Sequence, residues 1–116
     1  MAEENKYPLD YERRFGGVAK LYTKAGAERL KNAHVCVVGL GGVGSWAAEA
    51  LARTAVGRIT LVDLDNVAES NTNRQLQAMT GVYGKPKVDA TAERIHAINP
   101  LCDCRKIEDF IEVETA

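Results

Sequence analysis

The pattern of apolar and polar positions along the chain predicts strands and helices in alternation. Helical segments carry apolar residues three or four positions apart, and the strands are short apolar runs rich in β-branched residues. The predicted order is a helix over residues 19–31, a strand over 34–38, a helix over 45–54, a strand over 58–63, a helix over 86–98 and a weak strand over 104–107. Residues 64–84 form a long connection, and loops of such length in compact domains are usually functional or disordered.

Strands joined by helical crossovers predict an α/β fold. We expect a Rossmann-like doubly wound parallel sheet, of which the chain forms the first, nucleotide-binding half. The first strand, His34 to Val38, is expected to be buried on both faces and to lie at one edge of this half sheet. We divide the chain into an N-terminal arm, residues 1–18, and a partial domain, residues 19–116. The unpaired edge indicates a fragment of a longer protein or a chain that pairs with a partner.

Composition and charge narrow the class of protein. The chain has 116 residues, enough for one domain, with 46% hydrophobic and 27% charged residues, as in soluble globular proteins. Basic residues number 15 and acidic residues 16, so the basic excess of a dedicated DNA-binding domain is missing. No apolar run approaches the roughly 20 residues that span a bilayer, and we expect a cytoplasmic protein. Cys36, Cys102 and Cys104 indicate a reduced compartment and lack the spacing of a metal site.

The glycines after the first predicted strand are candidates for phosphate binding. Gly39, Gly41 and Gly44 fit the spacing G-x-G-x-x-G between a strand and a helix. In that motif the first glycine permits a tight turn, the second lets a phosphate approach the backbone, and the third allows close helix packing. Rossmann folds of many chemistries share the motif, and a purely structural turn is the alternative.

Two acidic residues follow the second predicted strand. Asp63 ends the strand, where a carboxylate can accept hydrogen bonds from ribose hydroxyls. Its alternative role is to cap the loop that follows. Asp65 either contacts the nucleotide or supports the same loop.

Two cations distinguish the sequence from a plain dinucleotide-binding protein. Arg74 lies in the run NTNRQ at residues 71–75, and Lys87 in the run GKPK at residues 84–87. A triphosphate benefits from cations that follow charge onto the leaving pyrophosphate. The alternative is that both are solvated surface charges, although a lysine at a helix start is unfavourable for the helix dipole unless an anion is near.

These residues together resemble the ThiF/MoeB/HesA superfamily, the bacterial relatives of ubiquitin-like modifier activating enzymes. The resemblance extends from about Tyr11 to Ile111. Its motifs follow one another in order: RFGG from Arg14, GLGGVGSWAAEALART from Gly39, Asp63, NTNRQ from Asn71, GKPK from Gly84 and INP from Ile98. The resemblance implies a Rossmann-like domain, a homodimer, and an enzyme that uses ATP and Mg²⁺ to adenylate a carboxylate or carbonyl oxygen.

The resemblance also implies roles for the matched residues. Arg14, Arg74 and Lys87 are expected to be catalytic. By composition alone Arg14 is only one of a basic pair, but the resemblance implies that it reaches into the other subunit's site. Gly41 is expected to approach phosphate and Asp63 to hold the ribose. The expected nucleotide contacts are Gly39, Gly41, Gly42, Gly44, Asp63, Asp65, Asn71, Arg74, Gln75 and Lys87, of which Asn71, Arg74 and Lys87 contact the triphosphate.

Within the superfamily, the chain looks most like the branch of tRNA threonylcarbamoyladenosine dehydratases. The matching segments are the RFGG start, GSWAAEALART and NTNRQ. This resemblance implies adenylation of the modified base's carboxylate, attack on the activated carbonyl by the side chain's own amide-type nucleophile, and closure of an oxazolone ring with release of AMP. It further implies tRNA as the substrate and a cysteine desulfurase with its sulfur acceptor as partners.

Other functions are compatible with parts of the sequence. An adenylyltransferase acting on the C-terminal glycine of a ubiquitin-like sulfur carrier predicts the same ATP site. An NAD-dependent oxidoreductase explains the glycines and Asp63 but leaves Arg74 and Lys87 without a role, and a fragment that only binds nucleotide or dimerises is the non-catalytic alternative. Superfamily members continue through an aspartate-bearing strand that helps to hold magnesium, so we expect an incomplete catalytic site in this truncated chain.

Overall fold

The computed structural model describes residues 9–109, in which helices and strands alternate along the chain. The elements are α1 (Tyr11–Lys31), β1 (His34–Val38), α2 (Gly44–Arg53), β2 (Arg58–Val62), a short 3-10 helix (Glu69–Asn71), α3 (Lys87–Ile98) and β3 (Asp103–Ile107). This alternation confirms the predicted α/β fold. From β1 onward, each predicted helix or strand begins and ends within one residue of the observed one.

The first helix is longer than the sequence predicts. It begins at Tyr11, where the Asp10 side chain caps the first turn, and it kinks at Thr23. Phe15 is buried, and the ring of Tyr11 lies 5.0 Å from it between centroids. This aromatic packing stabilises a turn that periodicity alone does not mark as helical. The division between arm and domain at residue 18 falls within this helix and stays a proposal.

The three strands form a parallel sheet in the order β1-β2-β3. Val38 pairs with Val62, and Val62 pairs with Ile107, so the carboxyl ends of the strands meet at one edge of the sheet. Among the described strands, β1 lies at an end of the order, as predicted. The loops that follow β1 and β2 are therefore neighbours.

Helices α2 and α3 cover one face of the sheet. That face carries Val37, Ile59 and Leu61, which belong to a core cluster together with the helical residues Ala48 and Ile95. Ile59 and Leu61 have no exposed surface. Burying a side chain of this size stabilises a fold by about 1.5–3 kcal/mol, so the two helices are held firmly against β2.

The opposite face of the sheet is largely open. Val38 is 59% exposed and Ile107 46%, and Cys36 is exposed as well. The prediction that β1 is buried on both faces is therefore wrong for the part of the chain that the structure describes. Successive side chains of a strand point to opposite faces, and α2 and α3 supply a layer on only one of them.

The three cysteines differ in environment. Cys36 is exposed, Cys102 is buried and Cys104 is half-buried. Burial, and next the neighbouring Cys102 thiol, raise the pKa of Cys104 to about 11, and burial also raises the pKa of Cys102. Both thiols therefore stay protonated near neutral pH, where the thiolate is the reactive form. Within residues 9–109, no group of three or more His, Cys, Asp or Glu side chains is placed to hold a metal ion.

We expect iodoacetamide to alkylate native Cys36 well before Cys102 and Cys104, and all three at similar rates in denaturant. Intact-mass spectrometry over time measures this order. The pKa of Cys104 is raised from 9.0 in the folded state, so stability gained by keeping that thiol protonated is present below pH 9.0 and is lost as pH rises towards about 11. Equal alkylation of the three thiols in the native protein would contradict this assignment.

Candidate nucleotide-binding site

The candidate site lies at the carboxyl ends of β1 and β2, where ligands bind in open α/β sheets. A cavity of about 280 Å³ opens there, lined by Val38, Gly39, Val62, Asp63, Leu64, Asp65 and Asp109. Gly39 adopts a φ of +89°, in the left-handed region that favours glycine. Its amide donates to the Val62 carbonyl oxygen at 2.8 Å, so the loop is tied to the end of β2.

The glycines of the loop leave different amounts of space. A Cβ atom at Gly44 would lie 1.7 Å from the Gly39 carbonyl oxygen, so α2 can begin this close to β1 only with glycine there. At Gly41 and Gly42, an added Cβ would meet its nearest neighbour at 3.9 Å and 3.7 Å. The backbone at these two positions is therefore open to a ligand.

Ser45 fixes one peptide of this loop from inside. Its hydroxyl donates to the Gly41 carbonyl oxygen at 2.5 Å, and its amide donates to the same oxygen at 3.1 Å. In a trans peptide the following N–H points away from the carbonyl, so the Gly42 amide faces away from Ser45. The amides of Gly41 and Gly42 have no hydrogen-bond acceptor among residues 9–109. Two such donors at a helix start favour an anion.

The carboxylate of Asp63 organises both loops. Oδ2 accepts from the Leu40 amide at 2.7 Å, and Oδ1 accepts from the Asp65 amide at 2.8 Å. The loop-capping role that was the alternative for Asp63 is therefore confirmed. Each carboxylate oxygen keeps a second lone pair, so the same group can also accept a hydrogen bond from a ligand hydroxyl at the cavity.

Lys87 is buried at the first position of α3. The residue is only 6% exposed, and its backbone amide donates to the Asp65 carbonyl oxygen at 2.9 Å. None of the ion pairs within residues 9–109 includes Lys87, whereas the neighbouring Lys85 pairs with Glu93 at 3.2 Å. The stem of Lys87 is thus buried, and its ammonium reaches the surface without a carboxylate partner in the described part of the chain, so it is available to a bound anion.

Arg74 lies over the glycine loop. Its Cγ is 3.7 Å from the position that a Cβ of Gly42 would take, and Trp46 Nε1 donates to its carbonyl oxygen at 3.1 Å. The guanidinium is exposed and donates to the Ser70 carbonyl oxygen and to Asn73 Oδ1, both at 3.0 Å. The backbone of Arg74 is thus fixed beside the loop, and its charge is not paired with a carboxylate in the described part of the chain.

Asn71 and Gln75 are buried in the same connection. Asn71 Oδ1 accepts from the Ala68 amide at 2.9 Å, and its carbonyl oxygen accepts from the Gln75 amide at 3.0 Å. Gln75 Nε2 lies 3.9 Å from the position that a Cβ of Gly41 would take. Gln75 Oε1 is buried with no hydrogen-bond partner among the described residues. Asn71 therefore shapes the turn that brings Gln75 to the glycine loop.

Arg14 lies outside this cavity. Its Nη1 donates to the Ile98 carbonyl oxygen at 3.0 Å, and it lines a separate cavity of about 450 Å³ with Arg53 and Arg94. Glu49 pairs with Arg94 at 2.6 Å and with Arg53 at 3.5 Å, so one carboxylate is paired with two of these three guanidinium groups. Within one chain the structure does not bring Arg14 to the glycine loop.

Two residues that hold the glycine loop were not predicted from the sequence. Ser45 directly follows the last glycine of the motif, a place where a hydroxyl can bond the carbonyl four residues before it, so a local signal existed. Gln77 donates through Nε2 to the Leu40 carbonyl oxygen at 3.0 Å. Its partner lies 37 positions away, and no local pattern marks such a contact.

Comparison with known proteins gives the family. The ThiF family model matches residues 11–116. The tRNA threonylcarbamoyladenosine dehydratase of Haemophilus influenzae is 51% identical over 105 residues, which are 90% of this chain and 40% of that protein. The molybdopterin-synthase adenylyltransferase of Salmonella typhimurium is 45% identical over 75 residues, which are 65% of this chain and 30% of that protein. The chain spans less than half the length of either relative.

A solved structure agrees with the family match and with the likeness to the dehydratase. The crystal structure of Escherichia coli tRNA N6-threonylcarbamoyladenosine dehydratase, TcdA, in complex with ATP superposes with a TM-score of 0.86 at 51% sequence identity. The match covers 87% of this chain and 42% of that one. The predicted Rossmann-like fold class is thereby confirmed, and with a family model that matches most of its length, the chain belongs to the ThiF family.

Proposed function

We propose that this chain forms the nucleotide-binding half of an ATP-dependent adenylating enzyme, a tRNA threonylcarbamoyladenosine dehydratase. The observation that carries the proposal is that Asp63 links the glycine loop to Lys87: its carboxylate accepts from the amides of Leu40 and Asp65, and the Asp65 carbonyl oxygen accepts from the amide of Lys87. In the described part of the chain, Lys87 has no ion-pair partner and the Gly41 and Gly42 amides have no acceptor. Both features favour a polyanion. The proposal is supported by the likeness to dehydratases, one of which was crystallised with ATP.

The residues present fit ATP. The open backbone at Gly41 and Gly42 admits a phosphate, Asp63 lies at the cavity where a ribose would sit, and Arg74 and Lys87 supply positive charge for the β- and γ-phosphates. Mg²⁺ would accompany the triphosphate and neutralise part of its charge. The full set of proposed nucleotide contacts is Gly39, Gly41, Gly42, Gly44, Asp63, Asp65, Asn71, Arg74, Gln75 and Lys87.

The proposed reaction has two steps. A carboxylate oxygen of the modified adenosine attacks the α-phosphorus of ATP, the bond to the bridging oxygen breaks, and pyrophosphate leaves with the negative charge that Arg74 and Lys87 stabilise. The carbamoyl group of the same side chain then attacks the activated carbonyl carbon. The bond to AMP breaks, a proton is lost from the carbamoyl nitrogen, and the oxazolone ring closes with the net loss of one water.

We further propose a cytoplasmic homodimer in which Arg14 reaches the nucleotide of the partner subunit. The exposed position of Arg14 beside Arg53 and Arg94 supports this role, because the guanidinium is not tied to the glycine loop of its own chain. The proposed substrate is tRNA, and the proposed partners are a cysteine desulfurase and its sulfur acceptor. Residues 9–109 include no helix with the length and apolar character needed to cross a membrane.

A second candidate function is adenylation of the C-terminus of a ubiquitin-like sulfur carrier. The identity with the molybdopterin-synthase adenylyltransferase favours it, although over fewer residues. The two candidates share the ATP site and differ in the second substrate. Stimulation of ATP cleavage by tRNA would favour the dehydratase, and pyrophosphate exchange that depends on the carrier would favour the adenylyltransferase.

Calorimetric titration of this chain is expected to detect binding of Mg-ATP and no binding of NAD. The reason is that a triphosphate can engage both the glycine loop and Lys87, whereas the shorter pyrophosphate of NAD leaves Lys87 unpaired. Omitting Mg²⁺ in a parallel titration measures the part played by the metal. Preference for NAD would refute the proposed ligand, and a chain that binds neither nucleotide would refute the proposal that this part alone forms the site.

A further inference from the structure

Gln77 is a buried polar side chain that contacts the glycine loop from behind. It is 2% exposed, and its Nε2 donates to the Leu40 carbonyl oxygen at 3.0 Å. A carbonyl oxygen can only accept, so the amide end of Gln77 must face Leu40 and Oε1 must face away from it. One hydrogen bond therefore fixes which way the side-chain amide is turned.

The hydrogen bond from Gln77 to the Leu40 carbonyl oxygen also sets the direction of the Gly41 amide. The Leu40–Gly41 peptide is trans and planar, and its carbonyl is drawn inward to Gln77, so the Gly41 N–H points outward. The amide on the other side of Leu40 is held by Asp63 Oδ2 at 2.7 Å. Gly41 has no side chain to resist rotation, and its amide has no partner among residues 9–109. Gln77 is thus the contact that holds this free donor outward.

We propose that Gln77 is a positioning residue for nucleotide binding: it orients the Leu40–Gly41 peptide so that the Gly41 N–H faces the phosphates. The inference rests on the proposed function, since it names the phosphates of ATP as the acceptor. Ser45 does the same for the next peptide, so the two outward amides have separate supports.

The other end of the Gln77 side chain is closed in by protein. Gln77 Oε1 and Thr91 Oγ1 are both buried with no hydrogen-bond partner among the described protein groups. Both residues line a cavity of about 10 Å³ behind the loop, together with Ile95 of α3. Among the described residues, the side-chain amide of Gln77 is therefore held through Nε2 alone, by its bond to Leu40.

Two variants separate positioning from packing. Gln77→Met removes the donor and keeps the length of the side chain, whereas Ile95→Val trims a buried residue that lines the same cavity and leaves Gln77 in place. In ¹⁵N–¹H spectra of the free chains, we expect the Gly41 cross-peak to move in Gln77→Met and to stay in Ile95→Val. In Mg-ATP titrations, we expect Kd to rise about tenfold in Gln77→Met, as for the loss of one charge-assisted hydrogen bond, and to change less than about twofold in Ile95→Val.

The outcomes are distinct. A folded Gln77→Met chain with the wild-type Gly41 cross-peak and wild-type affinity overturns the positioning role. If the wild-type chain binds no ATP, the proposed function fails for this chain, and the Gly41 cross-peak of the free variants still decides whether Gln77 sets the peptide. If Gln77→Met does not fold, Gln77→Glu places an acceptor against Leu40 and is expected to move the same cross-peak.

Discussion

Replacing Lys87 with methionine is expected to weaken Mg-ATP binding by about 1.5–3 kcal/mol, the contribution of a charge-assisted contact. Lys87 is buried at the start of α3, and none of the ion pairs within residues 9–109 includes it. No carboxylate in this part of the chain therefore competes with the triphosphate for the ammonium. Calorimetric titration of the variant and the wild-type chain with Mg-ATP measures the difference.

The matched control is Lys85→Met, which removes the same charge two positions away. Lys85 is exposed and pairs with Glu93 at 3.2 Å, so its loss is expected to change the affinity for ATP by less than about 0.5 kcal/mol. Stability provides a second readout. The Lys87 ammonium has no ion-pair partner in residues 9–109, and methionine keeps the apolar stem, so Lys87→Met should leave the free energy of unfolding of the free chain unchanged or raise it. Equal losses of affinity in both variants would mean that Lys87 acts only through net charge.

The sequence predicted the secondary structure well where each element carries its own signal. The strand His34–Val38 was predicted to the residue, because a run of β-branched residues between a polar segment and a glycine loop has no helical alternative. The start of α1 was missed, because the turn around Phe15 is stabilised by burial against other parts of the fold rather than by a local pattern. The exposure of Val38 was missed for a related reason. An apolar strand indicates that both faces of the sheet can be covered, but it does not indicate that residues 9–109 supply the covering layer on both faces.

The candidate site likewise has features that local sequence patterns indicate and contacts that they do not. Glycine spacing and the acidic residue that ends β2 are local signals visible in the sequence, and the structure joins the two through the hydrogen bond from the Leu40 amide to Asp63 at 2.7 Å. The contacts that orient the loop join distant positions, and Gln77 with Leu40 is the clearest example. The proposed role of Arg14 requires a second copy of the chain, which no pattern within one chain describes.

Replacing Gly44 with alanine is expected to lower the free energy of unfolding by about 3 kcal/mol or more, a large part of the total stability of a typical domain. The added Cβ would lie 1.7 Å from the Gly39 carbonyl oxygen and 3.5 Å from Val37 Cγ1. The 1.7 Å neighbour is backbone, so the clash cannot be relieved by turning a side chain. Either α2 moves away from β1 or the turn at Gly39 opens, and both changes uncover the core.

Gly17→Ala is the control for this substitution. Gly17 lies within α1, is exposed, and an added Cβ there would meet nothing within 4 Å. Alanine in a helix interior is more favourable than glycine by about 0.5–1 kcal/mol, so this variant should be slightly more stable than the wild type. Urea unfolding of the three chains, followed by circular dichroism, gives the comparison. Wild-type stability in Gly44→Ala would mean that α2 does not begin against the Gly39 carbonyl, and the outward Gly41 and Gly42 amides, which depend on that close start, would lose their structural basis as a phosphate site.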